Sequence, residues 1–96
     1  SVKKWIAHSE SFAKGVISVN AEAAKALRTA KATSLLLVGV TAIEGDFEEG
    51  DLVNIADASG KIIGVGRSSY ASTDAKANIG NHDMRPLVHY DYLYME

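Results

Sequence analysis

The 96-residue sequence predicts a mainly β, barrel-like domain carrying two short helices. Three observations carry that expectation. Short runs rich in β-branched and other apolar residues recur along the chain, as at residues 16–19, 52–55 and 62–66. Turn signals built on glycine, aspartate and asparagine separate them, and helical spacing of small residues is sustained in one stretch with a brief second candidate. Many short strands with few modest helices bury their apolar faces best by curling one sheet around a core.

Composition bounds the rest. A chain of this length with 47% hydrophobic residues reads as one domain able to bury a core without metals or disulfides. Cysteine is absent, which excludes a disulfide scaffold and a thiolate metal site and is compatible with a reducing, cytoplasmic setting. The longest apolar run, residues 35–40, is a strand's worth, so no membrane span is expected. The first residues hold no signal-peptide segment and do not begin with Met, so the chain is expected to be a fragment of a longer protein. A formal charge of −2 and a pI near 5.9 argue against a surface dominated by nucleic-acid binding. The acids cluster between Glu44 and Asp57, whereas Lys25, Arg28 and Lys31 fall together and leave room for a local basic face.

In chain order, residues 1–14 read as an opening strand and loop, the strand at Lys3-Lys4-Trp5-Ile6-Ala7 with Trp5 and Ile6 to bury and the loop from Ser9 to Gly15. Val16-Ile17-Ser18-Val19 is a short strand. Asn20 stands as a helix N-cap, with Glu22 placed favourably near the positive end of the helix dipole. Residues 21–30 are predicted helical, with Ala23, Ala26, Leu27 and Ala30 on the buried stripe and Glu22, Lys25 and Arg28 opposite.

The stretch from Ser34 to Ile55 reads as a hairpin-like unit: an apolar run, a strand through Ile43, an acidic loop and a second strand. The loop from Gly45 to Asp51 must be exposed, because four carboxylates in a low-dielectric interior would each need a partner. Residues 52–55 and 62–66 flank Asp57-Ala58-Ser59-Gly60-Lys61 as a tight hairpin. Ser72 is the expected cap of a second helix running through Ala77 and ended by Gly80, and residues 81–86 are polar loop. Residues 87–95 close the domain as a strand with Tyr90, Tyr92 and Tyr94 on one face.

No constellation specifies a chemistry. His8, His82 and His89 lack the spacing of a zinc site, the acidic loop lacks the carboxylate spacing of a calcium loop, and no serine has a nucleophile-elbow setting. Gly64-Val65-Gly66 lacks the third glycine and the following helix of a phosphate loop and reads as strand, its glycines permitting close backbone packing. Lys25, Arg28 and Lys31 read either as an RNA-facing patch or as the wet side of an amphipathic helix.

Taken in register, Gly15-Val16-Ile17-Ser18-Val19, Ser34-Leu35-Leu36-Leu37-Val38-Gly39-Val40, Glu44-Gly45-Asp46-Phe47, Gly50-Asp51-Leu52-Val53, Asp57-Ala58-Ser59-Gly60 and the late Val88-His89-Tyr90-Asp91-Tyr92-Leu93 resemble the PUA domain of pseudouridine synthases and archaeosine transglycosylases. More narrowly they are similar to the version at the C-terminus of bacterial glutamate 5-kinases, which act in proline biosynthesis. The sequence departs from that version in having Leu37 for proline, Glu22 for glycine, and Tyr90 and Tyr92 for arginine and asparagine.

The resemblance implies a β pseudo-barrel with two short helices spanning residues 1–96. It also implies that ATP, Mg and glutamate are bound in an amino-acid kinase domain outside this chain, which itself carries no catalysis, cofactor or metal. The partners it implies are that kinase domain and structured RNA. By analogy with RNA-binding relatives it points to Lys25, Arg28, Lys31, Ser34 and Gly39 as the RNA-facing residues, with Gly39 admitting a phosphate or base close to the backbone. The alternative it leaves open is a working RNA-binding module of an RNA-modification protein.

Overall fold

The structure, a computed structural model, describes residues 5–6 and 12–96. Among the described residues a five-stranded mixed sheet has the order β2-β1-β3-β4-β5. Its strands are β1 (Gly15–Val19), β2 (Val40–Gly45), β3 (Leu52–Ala56), β4 (Ile62–Arg67) and β5 (Leu93–Met95). Helices α1 (Ala21–Thr29) and α2 (Ser72–Ala77) pack beside them. A second, minimal wall is tied together by backbone bonds: Leu35 and Val88 form an isolated bridge, and Ser69 N–H donates to Leu87 O at 2.8 Å. The pseudo-barrel encloses Ile17, Val19, Leu35, Leu37, Val53, Ile55, Ile63, Leu87 and Val88, all essentially inaccessible to solvent.

Strand β1 is central. It pairs antiparallel with β2, from Gly15 opposite Gly45 to Val19 opposite Val40, and parallel with β3, with Ile17 opposite Ile55. Residues 34–55 are therefore not a hairpin, because β1 lies between the two strands expected to pair. The acidic loop instead crosses the start of β1, where Lys14 N–H donates to Leu52 O at 2.8 Å. Its carboxylates stay at the surface as expected, but Phe47 turns inward to 3% exposure. The apolar run is also not strand throughout: residues 37–39 form a 3₁₀ turn and β2 begins at Val40.

Other boundaries move for physical reasons. Trp5 and Ile6 are helical rather than extended, and Ile6 is buried; one inward side chain on a helical turn meets the need to bury an apolar pair as well as a strand does, and two residues carry no periodicity to tell them apart. The rest of the expected opening strand and much of the following loop, residues 1–4 and 7–11, lie outside the described residues. Ser72 is the first residue of α2 and not its cap, which falls at Ala71; its hydroxyl is occupied in accepting Phe47 N–H at 3.1 Å. The closing strand is only three residues long, because a 3₁₀ turn at Tyr90–Tyr92 breaks the expected alternation.

The β3–β4 hairpin forms as expected, Leu52 opposite Arg67 and Val53 opposite Gly66. Its turn is organised by Asp57, whose Oδ1 accepts from Ser59 N–H at 2.9 Å, Ser59 Oγ at 2.6 Å and Lys61 N–H at 3.1 Å. The Ser59 hydroxyl has the largest effect and, with the two backbone donors and the Arg28 charge, outweighs an opposing desolvation that ranks second, so Asp57 titrates below its ordinary value of 3.8. Gly64 and Gly66 let β5 and the Val88 segment approach closely: a Cβ on Gly66 would lie 2.5 Å from Val88 Cγ1 and 3.0 Å from Tyr92 O.

Two outcomes follow. Gly66→Ala must displace buried Val88 and is expected to destabilise the fold by about 1–3 kcal/mol, read by urea unfolding; an unchanged midpoint would refute the close approach. A depressed native Asp57 value means that its contribution is complete above the unfolded value of 3.8 and is lost as pH falls through the lower native value. Carboxyl NMR should show its midpoint below 3.8, and wild-type stability should fall more steeply in acid than that of Asp57→Asn.

Candidate binding cleft

Helix α1 builds one wall of a surface cleft. Its start is fixed by Asn20, extended at φ −74° and ψ 168°, whose Oδ1 accepts Ala23 N–H at 2.7 Å. Ala24 and Leu27 are its buried residues, while Ala26 and Ala30, expected on the buried stripe, are exposed. An alanine-rich helix fixes no phase by itself, and the larger Leu27 side chain decides which side enters the core. The opposite wall is the 3₁₀ turn, with Leu36 and Val38 at its lip. The cleft between them has a volume of about 360 Å³ and is lined largely by apolar atoms, with Asn20, Glu22, Thr33 and Ser34 supplying the polar groups.

The five residues implied as RNA-facing do not converge. Ser34 and Gly39 line the cleft, but Lys25, Arg28 and Lys31 do not. At roughly 100° per residue, Lys25 and Arg28 fall on the flank of α1 away from Ala23 and Ala26. Arg28 faces the β3–β4 turn, its guanidinium 4.0 Å from Asp57 Oδ2. Lys31, beyond the helix end, is exposed.

Ser34 and Gly39 are both engaged in the fold. Ser34 Oγ accepts Tyr90 N–H at 2.9 Å, joining the start of the apolar run to the last 3₁₀ turn. Gly39 O accepts Asn20 N–H at 3.0 Å, and a Cβ on Gly39 would sit 2.7 Å from the Ala23 Cβ. The missing side chain at Gly39 therefore admits the helix, and that contact sets how near the two walls stand.

Sequence reasoning missed Leu36 and Val38, which are 47% and 39% exposed. Leu35 and Leu37 point inward and their neighbours outward, a two-residue alternation hidden because all four positions are apolar. His89 is engaged locally: its Nδ1 accepts Asp91 N–H at 3.1 Å and its ring stacks on Tyr90 at 4.3 Å. Among the described residues no group of three or more His, Asp or Glu side chains could hold a metal ion, and no helix is long and apolar enough to cross a membrane.

A family model for the PUA domain matches residues 15–85. Over its whole length the chain is 53% identical to the glutamate 5-kinase of Bacteroides thetaiotaomicron, and over 99% of its length it is 42% identical to that of Chlorobaculum tepidum. It spans 27% of the length of each of these relatives. Among solved structures, a PUA domain from Aeropyrum pernix K1, crystallised as a tartrate complex, matches at a TM-score of 0.71 and 27% identity over 93% of this chain and 48% of that one. A chain of an H/ACA RNP bound to a substrate RNA matches at a TM-score of 0.68 and 16% identity over 86% of this chain and 24% of its own, a likeness of fold. The strand order, the cleft-forming helix and a family model covering residues 15–85 agree, and the chain belongs to the PUA domain family.

Proposed function

We propose that residues 1–96 form the non-catalytic C-terminal PUA module of a cytoplasmic glutamate 5-kinase-like protein of proline biosynthesis, serving its regulation or assembly and retaining at most a residual RNA-binding role. The observation that carries this reading is the 53% identity to a glutamate 5-kinase across the whole chain. On this reading ATP, Mg and glutamate are bound in an amino-acid kinase domain elsewhere in the same protein, and that domain is the natural partner of this one.

The geometry fits a module without chemistry of its own. The candidate cleft carries one carboxylate, Glu22, and no nucleophile held against a base. A cleft with apolar walls and no cation among its lining residues is better suited to contact with protein than to phosphates.

The second reading, a working RNA-binding module of an RNA-modification protein, is favoured by the fold shared with a chain of the H/ACA RNP. It would use Lys25, Arg28, Lys31, Ser34 and Gly39. Against it stand the absence of Lys25, Arg28 and Lys31 from the lining of the cleft that Ser34 and Gly39 share, and the engagement of Arg28 with Asp57.

Two measurements separate the readings. Glutamate-dependent ATP turnover is expected of the full-length protein and not of residues 1–96; a full-length protein without it would remove the first reading. Titration of a structured RNA against the chain is expected to give weak binding that Lys31→Ala leaves unchanged. The second reading instead requires tight binding at physiological salt, with Lys31→Ala lowering the log–log salt slope by about 0.9 for the lost phosphate contact.

A further inference from the structure

The cleft beside α1 has a neighbour. A smaller cleft of about 220 Å³ adjoins it past the C-terminal end of the helix, and the two share Leu27 and Thr33 as walls. The smaller cleft runs along β5, the last strand of the sheet. Tyr94 is paired with Val65 and Glu96 N–H donates to Ile63 O at 2.9 Å, so the alternate residues Leu93 and Met95 turn their main-chain groups outward. Leu93 N–H is used by Tyr90 O, which among the described residues leaves the Leu93 carbonyl and the Met95 amide and carbonyl as an open edge.

Three features therefore lie along one groove: a sheet edge able to bond an added strand, apolar walls with Leu36 and Val38 at the lip, and a single carboxylate, Glu22, at the far end. Among the described residues Glu22 has no ionic partner. A sheet edge selects an extended main chain, apolar walls select alternate side chains, and an unpaired carboxylate selects a cation. We propose that this groove binds an extended polypeptide segment, apolar at alternate positions and carrying a lysine or arginine that meets Glu22.

The nine residues of α1 run about 14 Å, which an extended chain covers in roughly four residues, so with the stretch along β5 the segment is about six to seven residues long. The main chain supplies affinity at the β5 edge. Side chains between Ala23 and Val38 supply the apolar selection, and Glu22 sets the charge and direction. The proposal stands on the groove itself and holds whatever enzyme the parent protein proves to be.

The test uses a phage-displayed random heptapeptide library as probe against the chain. Selection should enrich one family with alternating apolar positions and a basic residue near one end. For a synthetic peptide of that family, Leu36→Asp and Val38→Asp, both at exposed positions, should each weaken binding about tenfold or more. Glu22→Lys should reverse the charge preference from basic to acidic peptides, and N-methylation of the peptide at alternate residues should abolish binding by blocking the β5 edge. Thermal unfolding shows that each variant remains folded. Failure to enrich a family, or binding indifferent to Val38→Asp, Glu22→Lys and N-methylation, would overturn the proposal. So would displacement of the peptide by a transfer RNA whose own binding is lost in Val38→Asp.

Discussion

The parallel pairing of β1 with β3 is the constraint on which this molecule turns. Two parallel neighbours cannot be joined by a tight turn, so the chain between them must leave the sheet and return. It leaves through α1, comes back through the 3₁₀ turn, and lays β2 on the free side of β1 before reaching β3. The acidic loop then has to cross the end of β1, which is possible because Gly15 has no side chain: a Cβ there would stand 2.7 Å from both Glu44 O and the Phe47 ring. Gly45, at φ +97°, makes the reversal in a conformation that favours glycine. Phe47 fills the crossing from inside, and its amide and carbonyl are both tied to Ser72, holding α2 against this corner. The same excursion leaves α1 and the 3₁₀ turn as neighbouring walls, so the cleft is a product of the crossover.

The local parts of this architecture were legible in the residues, and the non-local parts were not. The β3–β4 hairpin could be read because Asp57, Ser59 and Gly60 specify a turn that two adjacent apolar runs can close on their own. Asn20 could be read as a cap because its partner, Ala23 N–H, is three residues away. The pairing of residues 34–55 could not, since nothing in Gly45 or Asp51 says that a strand from 25 residues earlier will intervene. Ser72 failed as a cap for the same reason, its hydroxyl being claimed by Phe47 across the fold. The three late tyrosines alternate in sequence, but Ser34 Oγ and His89 Nδ1 capture the amides of Tyr90 and Asp91 and bend the chain into a turn before β5 begins.

The resemblance named five residues, of which Ser34 and Gly39 line the cleft. It could not show that the helix is rolled so that Lys25 and Arg28 face away, because a helix of alanines presents no large residue other than Leu27 to fix its rotation. Nor could it show that Arg28 finds Asp57, a partner 29 positions downstream in a turn whose donors hold that carboxylate charged. Exposed pairs of this kind add little stability. This one nonetheless sets the direction of a cation that would otherwise count toward a basic patch.

Apolar residues at Leu36 and Val38 are not required by folding. With Leu35 and Leu37 in the core, Leu36 and Val38 are left at the surface, where the core does not need them to be apolar. Isolated exposed leucines and valines need no explanation, but these two stand side by side on the lip of an apolar cleft. The wall that faces them is held close at its base, where a Cβ on Gly39 would stand 2.7 Å from the Ala23 Cβ. Smallness at Gly39 and Ala23 and hydrophobicity at Leu36 and Val38 thus shape one surface, the first pair letting the helix and the turn approach and the second making the lip apolar.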